Sequence, residues 1–163
     1  MKIGILSDTH GKLSTALRAV EVLRQQSVDM LIHCGDVGGE EILDALAGHM
    51  AYFVFGNNDY DRAGLQRYAT TLGINCLKDF GVVSADGKKI AVTHGDDSRT
   101  MSRLTRDDSG VDYLLTGHTH VRHDQRVGTV RMINPGALYR ASIKSVAVLD
   151  VVSDRLDFLT VTE

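Results

Sequence analysis

The chain has 163 residues, 24 % of them charged and 43 % hydrophobic, the balance of an ordinary globular protein of about one domain. Its 18 Lys+Arg against 21 Asp+Glu give a formal net charge of −3, which excludes the overall basic character of a nucleic-acid or membrane-surface binder. Two cysteines, Cys34 and Cys76, and a single proline likewise exclude disulfide-scaffold and collagenous classes.

The first predicted element is a strand over residues 2–7. Its apolar run Ile3-Gly4-Ile5-Leu6 is far shorter than a signal-peptide core or a membrane span of about 18 residues. The expectation is a cytoplasmic protein with no membrane partner, its two cysteines reduced and unpaired. Leu13, Leu17 and Val20 then recur at i, i+4 and i+7, predicting an amphipathic helix that buries them and ends near Gln26. A second strand over 30–34 stops at Gly35-Asp36. Ile42, Leu43 and Leu46 repeat at helical spacing, and a third strand over 51–55 stops at Gly56-Asn57-Asn58-Asp59. Alternating strands and helices with short links read as a parallel α/β half.

The second half differs. Residues 81–85 and 89–93 flank Asp86-Gly87, a strong two-residue hairpin signal. Ser98 is the expected N-cap of a polar helix that turns Met101 and Leu104 inward. Strands follow at 113–116, 122–127, 129–133, 145–151 and 155–162, the last two turning at Ser153-Asp154. Antiparallel pairing is expected to dominate here. No repeat or linker interrupts the chain, so residues 1–163 read as one domain with two sheets.

The polar residues fall at the strand ends. Asp8-Thr9-His10 follows the first strand, Asp36 the second and Asn57 the third; His94 follows Thr93, and Gly117-His118-Thr119-His120 follows residues 113–116. Ligands of open α/β sheets bind at the carboxyl ends of the strands, so these segments can converge on one rim. In extended backbone, residues two apart share a side, so Asp8 with His10 and His118 with His120 can each offer two groups to one place. Gly35, Gly56, Gly95 and Gly117 allow close backbone approach there. Two Asp, one Asn and four His form an oxygen and imidazole set without thiolate. That set suits Mn²⁺, Fe²⁺, Co²⁺, Ni²⁺ or Zn²⁺, and seven ligands suit two ions rather than one. Two divalent ions against two carboxylates and a hydroxide leave positive charge, which favours an anionic group such as phosphate.

Asp8-x-His10, Gly35-Asp36, Gly56-Asn57-x-Asp59, His94-Gly95 and Gly117-His118-x-His120 resemble, in order and strand-end context, the motif set of the calcineurin-like metallophosphoesterases. Asn134-Pro135-Gly136 further resembles the closing segment of their small single-domain phosphodiesterase branch. The resemblance implies a four-layer α/β/β/α sandwich of two mixed sheets flanked by helices, with the site between the sheets. It implies that Asp8, His10, Asp36 and His120 hold one metal, manganese foremost, and that Asp36 bridges to a second held by Asn57, His94 and His118. The implied reaction is hydrolysis of a small phosphodiester by a hydroxide bridging the two ions.

This sequence departs from the wider pattern in reading Asn58 where many relatives carry a histidine, and Asp96 where several read His-Gly-His. Asparagine cannot serve as a general acid, so protonation of the leaving oxygen falls to Asp59, Asp96, Asp97 or solvent. Asn58, Arg99 and Arg140 are the candidate substrate contacts. His33 is expected to pack and hydrogen-bond in the core, His49 to face solvent or a helix end, and His123 to line the cleft. Tyr60 either stacks on a nucleobase or packs. The same core would serve a phosphomonoesterase or phosphoprotein phosphatase, or a metal-binding scaffold without turnover; nucleic acid is not favoured, and the oligomeric state is open.

Overall fold

A computed structural model describes residues 1–162. The chain runs β1 (Lys2–Leu6), α1 (Leu13–Gln25), β2 (Met30–His33), α2 (Glu40–Leu46), β3 (Ala51–Phe53), α3 (Arg62–Thr71) and β4 (Asn75–Cys76). It continues with β5 (Phe80–Ala85), β6 (Lys88–Thr93), α4 (Ser98–Leu104), a 3-10 turn at Asp107–Ser109, β7 (Tyr113–Leu115), β8 (Arg122–Val127), β9 (Val130–Pro135), β10 (Ser145–Asp150) and β11 (Arg155–Thr160).

The strands form two mixed sheets. One is ordered β11-β10-β1-β2-β3-β4, with β1 to β4 parallel; the other is β5-β6-β7-β9-β8. Helices α1, α2 and α3 cover the outer face of the first sheet, where Ala16, Leu23, Ile42, Leu46 and Leu65 pack with Leu6, Leu31 and Phe53. Ile3, Ile5, Ile32 and Val54 meet Ile90, Val92, Leu115 and Ile133 between the sheets. Leu104 and Met101 of α4 cover Ala91, Leu114 and Val130 on the outer face of the second sheet. The result is the α/β/β/α sandwich, and each large apolar side chain so buried contributes roughly 1.5–3 kcal/mol. No helix among the described residues is long and apolar enough to cross a membrane.

Several elements differ from the sequence expectation. Helix α1 buries Ala16, Ala19, Val20 and Leu23, while Leu13 and Leu17 are exposed. Small alanines let the helix lie close to the sheet, and a Cβ at Gly4 would come within 2.9 Å of Leu31 and 3.1 Å of Leu23. Helix α3 and β4 were not expected; Asp61 caps α3 by accepting from the Gly64 amide at 3.0 Å, and Leu65 and Ala69 face inward. The N-cap of α4 is Asp97 rather than Ser98, its carboxylate accepting from the Arg99 and Thr100 amides. Pairing in the second sheet is half parallel, because β7 lies parallel to both β6 and β9, and the last hairpin returns to the first sheet beside β1. At the Asp86-Gly87 turn both residues have positive φ, as the predicted hairpin requires.

Candidate metal centre

All five motif-bearing loops leave the same end of the sandwich. The loops after β1 and β2 are zipped together by backbone bonds, Asp8 N–H to Gly35 O, His10 N–H to Asp36 O and Gly11 N–H to Val37 O, at 2.9–3.0 Å. In the second sheet Gly117 N–H donates to His94 O, and across the sandwich His118 N–H donates to Asp8 Oδ2. Two glycines make this closeness possible. A Cβ at Gly56 would lie 2.1 Å from Asp36 Oδ1, and one at Gly117 would lie 2.0 Å from Ser7 Oγ.

The backbone here is not extended. Asp8, His10, Asp36, His118 and His120 all have φ between 45° and 68°, the left-handed region that non-glycine residues rarely occupy. Such strain gathers where surrounding structure over-determines the conformation, as at ligand clamps. The i, i+2 argument from strand geometry therefore does not describe these pairs. Asp8 and His10 do face one place, but His118 and His120 point to different partners.

The side chains form two overlapping clusters: the donor atoms of Asp8, His10 and His120 lie within 4.8 Å of one another, and so do those of Asp8, Asp36 and His94. His120 Nε2 is 3.1 Å from Asp8 Oδ1, His10 Nε2 is 3.4 Å from Asp36 Oδ2, and His94 Nε2 is 3.3 Å from the same oxygen. Asn57 and His118 sit at the exposed edge, with His118 Nδ1 3.2 Å from Asn57 Oδ1 and its ring centroid 5.1 Å from that of His94.

Burial and hydrogen bonding set the electrostatics. Burial raises the Asp36 carboxyl, but the close approach of His94 and bonds from the Asn58 amide and side chain outweigh it and hold the group below the usual carboxylate range. Burial lowers His94, yet Asp36, the Cys34 carbonyl and Asp8 push it up to about 8. Its Nδ1–H donates to Cys34 O at 2.8 Å, so in the neutral ring Nε2 presents its lone pair to the cluster. Asp8 Oδ1, His10 Nε2 and His94 Nε2 are buried without a hydrogen-bond partner among the described residues. Buried polar atoms are almost always paired. Three orphans in one oxygen and imidazole cluster fit divalent cations.

The other candidate residues separate. Asn58 gives its amide and its Nδ2 to the two oxygens of Asp36, each at 2.8 Å. Asp59 is buried and accepts from the Val37, Gly38 and Gly56 amides at 2.8–3.1 Å, so its carboxylate ties two loops together. Asp96 is exposed beside His94-Gly95, and Asp97 is occupied in capping α4. Arg140 adjoins the site, its carbonyl 3.5 Å from His120 Nδ1 and its guanidinium stacked near Tyr139. Arg99 lies in an open groove with Arg103 and Arg106 along α4. His123 lines a separate cavity with Met101, Val121 and Met132, on the outer side of the His118-His120 loop. His49 is half-buried after α2.

Three residues support the ligand loops without having been assigned that role from the sequence, although His33 hydrogen-bonds in the core as expected. Buried His33 accepts the Gly35 amide at Nδ1, its Nε2 lies 2.9 Å from Thr9 Oγ1, and that hydroxyl donates to Val37 O. Thr9 thus completes a relay under the ligand loops. Asn134 donates to Gly117 O at 2.7 Å and to Thr119 Oγ1 at 3.1 Å, bracing the histidine loop from behind. A polar residue inside an apolar strand was the signal for His33, and the Asn134-Pro135-Gly136 segment the signal for Asn134.

A fold of this topology, with histidine and carboxylate loops meeting at one end, defines a metallophosphoesterase-like protein. The sequence profile described as the calcineurin-like phosphoesterase superfamily domain matches residues 1–154, and the chain belongs to that superfamily of phosphoesterases. It is 33 % identical over 156 residues to a phosphodiesterase of Methanocaldococcus jannaschii, covering 92 % of this chain and 93 % of the relative. A probable metallophosphoesterase of the same organism is 35 % identical over 164 residues, covering 96 % and 79 %. A solved structure described as a novel archaeal phosphodiesterase superposes with a TM-score of 0.89 at 30 % identity, covering 98 % of this chain and 99 % of the other.

Proposed function

We propose that this phosphoesterase is a phosphodiesterase, read as one domain over residues 1–163, acting on a small phosphoester with two divalent cations. Asp8, His10, Asp36 and His120 would hold one ion, and Asp36, Asn57, His94 and His118 the other. The observation that carries the reading is the trio of partnerless buried atoms on Asp8, His10 and His94. When bound, such ions supply an acidified water and positive charge on the phosphoryl oxygens.

This chain's residues set the conditions for that chemistry. Asn58 orients the Asp36 carboxylate with two donors and has no proton to give up. Asp59 is spent on three backbone amides, and Asp97 on a helix cap. Solvent and exposed Asp96 remain for the leaving oxygen, which favours esters whose leaving group departs as an anion. Two free thiols, buried Cys34 and half-buried Cys76, support a reducing, cytoplasmic setting.

The test strips the protein with chelator, reloads Mn²⁺, Ni²⁺ or Zn²⁺, and compares bis-p-nitrophenyl phosphate with p-nitrophenyl phosphate. Metal-restored cleavage favouring the diester is expected. Preference for the monoester would make it a phosphomonoesterase, and bound metal with no turnover of either would leave a scaffold.

A further inference from the structure

Beside the ligand loops is a cavity of about 260 Å³ between the loop after β2 and the loop after β3, walled by Gly38, Gly39, Glu40, Asn58, Tyr60 and Asp61. That lies just below the roughly 300–1,000 Å³ of a drug-sized pocket and suits a group of one or two rings. The cavity adjoins the metal cluster through Asn58, which holds Asp36 on one side and accepts the Tyr60 hydroxyl at 3.3 Å on the other.

Tyr52, Tyr68 and Tyr139 are half-buried and Tyr113 is buried, whereas Tyr60 is 87 % exposed. It contributes nothing to the core, so packing does not account for a large aromatic at this position. Tyr60 both lines the cavity and is exposed, so its ring is available for a planar group to stack on. Charge narrows the occupant. Glu40 and Asp61 line the cavity, and no lysine or arginine does, so a second phosphate is repelled. Carboxylates accept hydrogen bonds from amino and hydroxyl groups. A quaternary amine would bring no donors for them and would want more than one aromatic wall. A base joined to a sugar satisfies both the ring and the acceptors.

Resting on the phosphodiesterase reading above, we infer that the cavity walled by Tyr60, Glu40 and Asp61 is a nucleoside subsite, seating the ester arm of a nucleotide diester that does not leave. The metal-reloaded protein is assayed with the p-nitrophenyl ester of thymidine 5′-monophosphate and with methyl p-nitrophenyl phosphate. Both release the same leaving group, so only the retained arm differs. The nucleoside ester is expected to have the higher kcat/KM by roughly tenfold or more, within the worth of one base–aromatic stack. Tyr60→Ala collapses that ratio, and Tyr60→Phe, which keeps the ring, preserves it. Because the chain has no tryptophan, quenching of tyrosine fluorescence by thymidine 5′-monophosphate reads the stack independently of turnover, and Tyr60→Ala is expected to diminish it.

Equal kcat/KM for the two diesters in the unmodified protein, or an equal loss on both in Tyr60→Ala, overturns the subsite while leaving the phosphodiesterase reading intact. Nucleotide quenching that depends on Tyr60, without cleavage of either ester, supports the subsite and overturns the phosphodiesterase reading instead.

Discussion

Both ends of the sandwich carry clustered carboxylates, and they treat their polar groups in opposite ways. At the end where β1, β2, β6 and β7 point, Asp8 Oδ1, His10 Nε2 and His94 Nε2 are buried without a hydrogen-bond partner among the described residues. At the other end every carboxylate in the principal network is answered. Arg131 holds Asp124 through two bonds at 2.8 and 2.9 Å and Asp154 at 2.7 Å; Arg126 and the Tyr113 hydroxyl also meet Asp154, and Lys88 pairs with Asp112. That network ties the β10–β11 turn to the second sheet and closes the interface between the layers. Unanswered buried groups cost stability, so a fold that answers them at one end and not the other has kept the open end for something outside the chain.

The sharpest way to break this comparison is Asp36→Asn. As the proposed shared ligand, Asp36 is expected to lower metal-restored diester hydrolysis by more than the roughly 10–100-fold that follows loss of a residue supporting a ligand. Near-normal hydrolysis would remove Asp36 from the shared position. The substitution keeps the side-chain shape, so circular dichroism of the variant is expected to match the parent protein.

His33 gives the next effect, read by pH in chelator-stripped protein. Burial, followed by the nearby His94, lowers its pKa from 6.5 to about 3. The neutral ring matches its surroundings, accepting from Gly35 at one nitrogen and meeting Thr9 with the other. The folded pKa lies below the unfolded one, so the unfolded chain binds the proton first. Stability is therefore full above about 6.5 and is lost as pH falls toward 3, by about 1.4 kcal/mol per unit. His94, raised to about 8, acts in the other direction and above this window. Urea unfolding between pH 6.5 and 4.5 checks the slope, which His33→Gln is expected to flatten; an unchanged slope would assign the acid sensitivity to other groups.

How much of this was legible depends on what each feature needs. Strand-end motifs place Asp8, Asp36 and His94 at one rim because strand direction alone decides it. The aim of Asp8 and His10 and the split between His118 and His120 depend on left-handed backbone at those residues, which no spacing rule carries. Asp59 is a candidate proton donor by sequence, and only the meeting of two loops, which brings it the Val37 and Gly38 amides, shows its carboxylate engaged. Helix α3 was hidden by its polarity, since Arg62, Gln66, Arg67, Thr70 and Thr71 dilute the Leu65 and Ala69 stripe; its Asp61 cap was the readable signal.

The far end predicts a mirror-image variant. Asp154→Ala removes a side-chain partner from Arg131, Arg126 and Tyr113 at once, leaving the largely buried Arg131 guanidinium with Asp124 and the backbone carbonyl of residue 154. The expected loss is roughly 1–3 kcal/mol, toward the low end because Asp154 is partly exposed and screened. Metal-restored hydrolysis is expected to stay at the parent level. If instead activity falls while stability holds, the two ends are not separable in the way the hydrogen bonding implies.

The smallest effect lies between the ends, on α1. Spacing assigned Leu13 and Leu17 to the core, whereas Ala16, Ala19, Val20 and Leu23 occupy it and Leu17 is 51 % exposed. Both stripes have helical period; what selects between them is volume. Gly4 on β1 leaves room for Leu23 and Leu31 but not for an additional Cβ, so the helix seats its small residues against the sheet and turns the leucines of its first half outward. Leu17→Gln is therefore expected to change unfolding stability by no more than about 0.5 kcal/mol, measured in urea at pH 7. A loss of about 2 kcal/mol would be the cost of truncating a core leucine and would return Leu17 to the buried face, taking with it the argument that helix volume, not hydrophobic count, fixed the rotation of α1.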